Sequence, residues 1–296
     1  MDLKELSNFL KIAEYENITK AAQELHVAQP HLTRQIQNLE QELGVSLFIR
    51  EKKRLHITDE GRFLKQQAKQ ILGLVQKTKA QISEMESGIS GTLYIGSIET
   101  VGTLYLPQWI SGFKNCYPKI RYNLWSGNST DVIERLERGL IDLALVRAPF
   151  DEEKFESFPV LDEKWIVLMN KNHPLATNDA PLVSLEELSK EELLVPTQRI
   201  HEVSGWFNAR NLNSNIICGF SPLMNAIVMV QNNLGIAILP ESCKEMLFTD
   251  DVIIKDLSEN MMSTVSFIWR NQYELTGAAK RFLDFVKGHP IGQFSE

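Results

Sequence analysis

Cysteine is scarce. The chain of 296 residues has three, Cys116, Cys218 and Cys243, with no Cys-x-x-Cys spacing. A sparse, odd set excludes a disulfide framework and a structural zinc site. Such thiols usually behave as small hydrophobes, and a redox pair between Cys218 and Cys243 is the alternative. The six histidines are scattered, without paired metal-ligand spacing, so neither metal nor cofactor is expected. No apolar run reaches the roughly 18 residues of a membrane span. The opening "MDLKELSNFLKIAEYEN" is charged through its middle, unlike a signal peptide. These absences predict a soluble, cytoplasmic chain with no membrane partner. Also missing are GxGxxG, P-loop, GxSxG and HExxH motifs and any grouped set of acids and histidines, so no enzyme is expected.

Net positive charge is missing too. The formal charge is −7, which by itself does not point to a nucleic-acid partner. Its distribution is uneven. Residues 1–58 are balanced, with eight Lys/Arg against eight Asp/Glu, and the acidic excess lies beyond them. The one concentrated basic site is Arg50, Lys52, Lys53 and Arg54, opposed only by Glu51.

Beside that site lies "NITKAAQELHVAQPHLTRQIQNLEQELGVSLFIR", an apolar periodicity broken after two turns and restarted at a proline. A first helix is expected from Leu3 to Glu14, burying Leu6, Phe9, Leu10 and Ala13. Thr19 is the expected N-cap of a second helix, in which Ala21, Ala22 and Leu25 allow a close crossing. "HVAQ" is the turn. Pro30 suits the first turn of a third helix, where a missing N–H costs nothing. Leu32, Ile36, Leu39 and Leu43 form its buried stripe, and Gly44 ends it. The opposite face presents Gln29, His31, Thr33, Arg34, Gln35 and Asn38. A helix N-terminus loaded in this way is what a helix-turn-helix needs to enter the major groove. Arg pairs with guanine, Gln with adenine, and Thr with a thymine methyl. The alternative is an ordinary hairpin with a solvated face. Against it, "SLFIR" and "RLHIT" alternate as two strands around "EKK", a basic wing suited to phosphates or the minor groove.

The segment "TKAAQELHVAQPHLTRQIQNLEQELGVSLFIR", followed by "ITDEG", resembles the N-terminal signature of LysR-type transcriptional regulators. The resemblance implies DNA contacts at Gln29, Pro30, His31, Thr33 and Arg34, with Arg50, Lys53 and Arg54 at the wing. It implies a sequence-specific regulator of a pseudo-palindromic operator, controlled by a small-molecule co-inducer. It also implies a homodimer assembled further into a homotetramer, with RNA polymerase as a further partner.

Thr58 can cap a long helix over residues 59–88, in which Leu64, Ala68, Ile71, Val75, Thr78, Ile82 and Met85 follow 4–3 spacing. Such a helix spans roughly 40 Å at about 1.5 Å per residue. It reads as a linker and dimerisation seam, because a single winged domain reads only a half-site.

The remainder alternates strand and helix. "GTLYIGSI", "YLPQWISGFKNCYP", "IRYNLWSG", "NSTDVIERLERG" and "IDLALVRA" make a β-α-β-α-β run, hence a parallel sheet. A second run begins at "KWIVLMN" and ends at "LGIAILP"; "STVSFIWR" returns as a strand and "GAAKRFLDFVKG" closes as a helix. The expected division is a winged domain over 1–58, the linker helix over 59–88 and a ligand domain over 89–296. The ligand domain would have one lobe at about 91–160 and 267–296 and another at about 161–266.

Such lobes take ligands where their strands end. The candidate residues are Ser97, Glu99, Thr100, Asn128, Ser129, Thr130 and Arg147, with Thr197 to His201 and Ser221 in the second lobe. A guanidinium after the apolar strand "DLALV" needs a partner. Arg147 is therefore either paired with an acid such as Glu99 or Asp151, or a clamp on an organic acid. Ser129 and Thr130 are either plain caps or anion ligands, and Glu99 opposes a simple carboxylate site. "GTLYIGSI", "ERGLIDLALV", "HPLA" and "NNLGIAILP" extend the LysR-type resemblance. It implies an α/β, two-lobed, periplasmic-binding-protein-like effector domain, with effector contacts at Ser97, Thr100, Ser129 and Arg147. Competing readings are a small-solute-binding protein, a redox-responsive regulator and an architectural DNA binder.

Overall fold

The computed structural model describes residues 1–51, 54–87 and 90–291. It divides into two compact units, Met1–Glu86 and Ser87–Glu296.

The first unit begins with α1 (Leu3–Tyr15), α2 (Ile18–Glu24) and α3 (Gln29–Leu43). Asp2 and Glu5 form a capping box on α1. Asn17, not Thr19, caps α2; its side chain accepts from the Lys20 N–H at 3.0 Å. Asn and Thr are both good caps by type, and the chain enters the helix two residues earlier than expected. His26 takes a left-handed φ of 53° in the turn. Phe9, Ile12, Ala21, Ala22, Leu32, Ile36 and Leu39 close the core. Leu43, expected in that stripe, is exposed, because α3 ends there and Gly44 turns the chain away with φ 71°. Gln35, expected on the open face, instead accepts from Asn8 Nδ2 at 2.7 Å, tying α3 to α1.

The wing is the antiparallel pair β1 (Phe48–Glu51) and β2 (Arg54–Ile57). Glu40 of α3 anchors it by accepting from the Leu47 and Phe48 N–H groups at 2.7 and 3.1 Å. α4 (Asp59–Ser87) starts at Thr58, whose hydroxyl accepts from the Gly61 N–H. A Cβ at Gly61 would stand 2.3 Å from the Leu47 carbonyl oxygen, so the close approach of helix and wing requires glycine. The expected seam is divided. Ala68 is buried in the winged core and Leu64 packs against it, whereas Ile71 and Ile82 are exposed and Val75 is half-buried; Leu74, outside the expected spacing, is exposed too. The Met85 side chain and Lys53 lie outside the described residues.

The second unit contains β3 (Gly91–Ile98), α5 (Glu99–Cys116), β4 (Ile120–Gly127), α6 (Ser129–Glu137), β5 (Leu143–Arg147), β6 (Phe155–Asn170) and α7 (Pro174–Thr177). It continues through β7 (Leu182–Val183), α8 (Leu185–Leu188), β8 (Leu193–Pro196), α9 (Ile200–Asn208), β9 (Ile216–Phe220), α10 (Leu223–Gln231) and β10 (Ile236–Pro240). It ends with β11 (Val252–Leu257), β12 (Met262–Arg270) and α11 (Gly277–Gly288).

In the first lobe β3 pairs parallel with β4 and β5, and β12 runs antiparallel to β5. In the second, β8 pairs parallel with β9 and β10, and β10 runs antiparallel to β6. The 16-residue strand β6 belongs to both lobes. Its first part, through Lys164, pairs with β12; from Trp165 it pairs with β10. The sequence suggests only its apolar second half. The first half carries Pro159, tolerated because that edge faces β12 alone and the register shifts at Val265/Ser266. β11, rich in charge, also escapes the sequence patterns.

Gly61→Ala is expected to destabilise the winged unit by about 1–3 kcal/mol, although alanine is the better helix former by about 1 kcal/mol. Equilibrium denaturation of the full chain checks this, and an unchanged unfolding midpoint contradicts the required close approach.

Candidate functional site

On the winged unit, no side chain caps the N-terminus of α3; its N-cap is Ala28. Of that turn, Pro30 has no N–H and the His31 N–H donates to the Ala28 carbonyl at 3.0 Å, so an anion such as phosphate would meet few backbone donors there. Pro30, His31 and Arg34 are exposed and Gln29 and Thr33 half-buried on this end. The Gln29 amide donates to the Thr33 hydroxyl at 2.7 Å, which fixes both side chains on the open face. Arg50 and Arg54 lie opposite Leu55 and Glu51 in the wing.

In the second unit a cavity of about 390 Å³ lies where the lobes meet. All six parallel strands end at it: Ile98 of β3, Ser126 and Gly127 of β4, Arg147 of β5, Pro196 of β8, Phe220 of β9 and Leu239 and Pro240 of β10. Ligand sites of open α/β sheets sit at such strand ends.

Among the expected residues, Glu99, Thr100, Asn128, Ser129, Arg147, Gln198, Arg199 and Ser221 line this cavity. Glu99 and Thr100 are the first turn of α5, which starts earlier than its apolar pattern suggests. Asn128 is the cap of α6: its Oδ1 accepts from the Asp131 N–H at 3.0 Å and its Nδ2 donates to the Asp131 carboxylate at 2.7 Å. Ser129 therefore sits inside the first turn and is not the cap. Thr130, Ile200 and His201 are outside the lining, and so are Ser97 and Thr197. Ser97 is buried within β3 against Gly102, where an added Cβ would meet its hydroxyl. Thr197 packs against Gly219 of β9 in the same manner and is not part of the lining.

Arg147 is 8% exposed and pairs through Nη2 with Glu163, neither Glu99 nor Asp151. Glu163 is itself buried, and its second oxygen accepts from the Ser242 N–H at 2.9 Å. The Arg147 Nε has no partner among the described residues. The same holds for the indole Nε1 of Trp165, a cavity residue that is 1% exposed. Buried donors without acceptors are costly and mark places where a further group is wanted.

Arg199, which also lines the cavity, joins the lobes. Its Nη1 donates to the Ala148 carbonyl at 2.7 Å and to Glu202 at 2.9 Å, and its Nη2 donates to the Arg147 carbonyl at 3.0 Å. Burial holds the Arg199 pKa below its ordinary value, Glu202 opposes that, and the Arg147 charge adds to it. Arg199 lies within the expected stretch Thr197 to His201, whereas nothing in the local sequence marks Glu163 or Trp165. Their partners lie across the fold, and only the apolar flank of Arg147 carried a signal.

Cys243 borders the cavity and is buried; burial pushes its thiol up to about 12. The thiolate is the reactive form, so such a thiol is inert near neutral pH. Cys218 sits on β9 with its sulfur 3.9 Å from Met229 Sδ. Among the described residues no group of His, Cys, Asp or Glu is placed to hold a metal, and no helix is long and apolar enough to cross a membrane.

A winged helix-turn-helix, a long helix and a two-lobed unit with a strand-end cavity define a DNA-binding regulator with a substrate-binding domain. Comparison with known families agrees. Residues 3–62 match the bacterial regulatory helix-turn-helix protein, lysR family, and residues 86–290 match the LysR substrate binding domain. The chain belongs to the LysR family of transcriptional regulators. It is 30% identical over 302 residues to the uncharacterized HTH-type transcriptional regulator YvbU of Bacillus subtilis (strain 168), covering 97% of this chain and 98% of that protein. A hydrogen peroxide-inducible genes activator of Dickeya chrysanthemi is 33% identical over 195 residues, covering 66% of this chain and 63% of that protein. The crystal structure of CbnR, a LysR family transcriptional regulator, superposes with a TM-score of 0.77 at 22% identity, over 97% of this chain and 99% of that one. Its full-length complex with target DNA gives 0.78. At that identity the likeness concerns the fold.

Two outcomes test the site. Glu163→Gln leaves the Arg147 charge buried without its counter-charge and is expected to cost about 3–5 kcal/mol of stability; a denaturation midpoint like that of the wild type contradicts the buried pair. In the native chain at pH 8, iodoacetamide should label the exposed Cys116 and leave Cys243 unmodified, as read by mass spectrometry. Labelling of Cys243 at a rate like that of Cys116 contradicts its raised pKa.

Proposed function

We propose that this LysR-type regulator binds a pseudo-palindromic operator as a homodimer, and that a small organic effector with an acidic group controls it from the interlobe cavity. The observation that carries the reading is the convergence of six strand ends from two lobes on one cavity, with buried donors in its wall. A ligand there touches both lobes. It can shift their relative angle only by binding one arrangement better than the other. On the DNA side the reading assigns base contacts to Gln29, Pro30, His31, Thr33 and Arg34, and wing contacts to Arg50, Lys53 and Arg54. The exposed Ile71, Leu74 and Ile82 of α4 support a helix-pairing seam. A tetramer of two dimers and contact with RNA polymerase complete the proposal.

Two experiments test it. Operator fragments selected from random DNA should bind the wild type, and Arg34→Ala should weaken that binding by about 1–3 kcal/mol if Arg34 reads a base. Undiminished binding by the variant overturns that assignment. Replacing Leu74 and Ile82 together by Asp should give monomers in analytical ultracentrifugation. A dimer of unchanged stability refutes the seam.

A further inference from the structure

Two buried donors in the cavity wall lack acceptors among the described residues: Arg147 Nε and Trp165 Nε1. They belong to one patch. Arg147 bonds Glu163, and Glu163 and Trp165 are two residues apart on β6, on the same face of the strand. Two N–H donors in one cavity wall suit a carboxylate, which offers two oxygens and several lone pairs.

Charge argues against a carboxylate alone. Glu163 already neutralises Arg147. Arg199 directs its terminal nitrogens to two carbonyls and to Glu202. The remaining charged groups of the wall are acids, Glu99 and Asp131. Asp131 accepts from the Asn128 amide. Glu99, half-buried at the start of α5, makes no ion pair among the described residues. A lone carboxylate would enter against this negative surplus where screening is weak. An ammonium on the same molecule removes the conflict by facing Glu99. Phe220 and Leu223 supply an apolar wall for the rest of the ligand.

We infer that the effector is a small zwitterion of the apolar α-amino-acid class, its carboxylate accepting from Arg147 Nε and Trp165 Nε1 and its ammonium facing Glu99. This rests on the reading that the interlobe cavity takes the effector.

The test uses the full chain in thermal-shift and calorimetric titrations. The probes are the proteinogenic amino acids, neutral sugars, and for each apolar amino acid its analogues lacking the amine or the carboxylate. For leucine these are 4-methylpentanoate and 3-methylbutylamine. At least one apolar amino acid should raise Tm and bind at least about tenfold more tightly than either analogue. Trp165→Phe, which keeps an aromatic ring but is smaller and removes the N–H, should weaken it by about tenfold or more. Glu99→Gln should also weaken it and narrow its advantage over the monocarboxylate. A monocarboxylate that binds as tightly as its amino acid, or indifference to Glu99→Gln, overturns the zwitterion. Binding only by acids or sugars, abolished by the cavity-filling Leu223→Trp, overturns the zwitterion and keeps the cavity. Amino-acid binding that survives Leu223→Trp, or no response to any probe, overturns the cavity reading as well.

Discussion

The charge group around Arg147 and Glu163 is the constraint on which the C-terminal unit depends. Burying an ion pair is unfavourable unless both partners are closely matched and their remaining polar atoms are satisfied. Here the carboxylate meets that condition, with Arg147 on one oxygen and the Ser242 N–H on the other. The guanidinium meets it only in part, since Nε is left over. Arg199 then reaches from the second lobe to the carbonyls of Arg147 and Ala148. The same few atoms thus hold β5 to β6, join the lobes and border the cavity. A ligand that completed the unmet donors would touch the joint between the lobes.

The strands explain why the joint is there. β6 runs through both sheets, changing partner between Lys164 and Trp165, and Glu163 and Trp165 flank that change. The parallel strands of each lobe all end on the same side. One strand therefore carries the change of partner, the buried acid and a cavity donor within three consecutive residues. A substitution at this point alters the packing of both lobes and the cavity wall together, so isosteric changes separate the two better than truncations to alanine.

What could be read from the sequence follows from how local each signal is. The helix-turn-helix was legible because Pro30, Gly44 and the paired Ala21 and Ala22 act within one or two turns. The cap of α2 was misplaced by two residues because Asn17 and Thr19 are equally suited by type. The seam of α4 was half legible: its spacing is correct for a coiled coil, but Leu64 and Ala68 are used by the core of their own unit. Arg147 stood out because a charge follows an apolar strand. Its partner did not, because Glu163 lies 16 residues away on another strand. Ser97 and Thr197 sit at strand ends in the sequence and face packed glycines in the fold, a difference that strand periodicity alone does not resolve.

A ligand proposed to engage both lobes at once is open to test by hydrogen–deuterium exchange of the full chain, with and without the small molecule that most raises its Tm. Slower exchange is expected together at 98–100 and 126–129 of the first lobe and at 196–199 and 220–223 of the second. Protection confined to one lobe, or centred away from these strand ends, would contradict it.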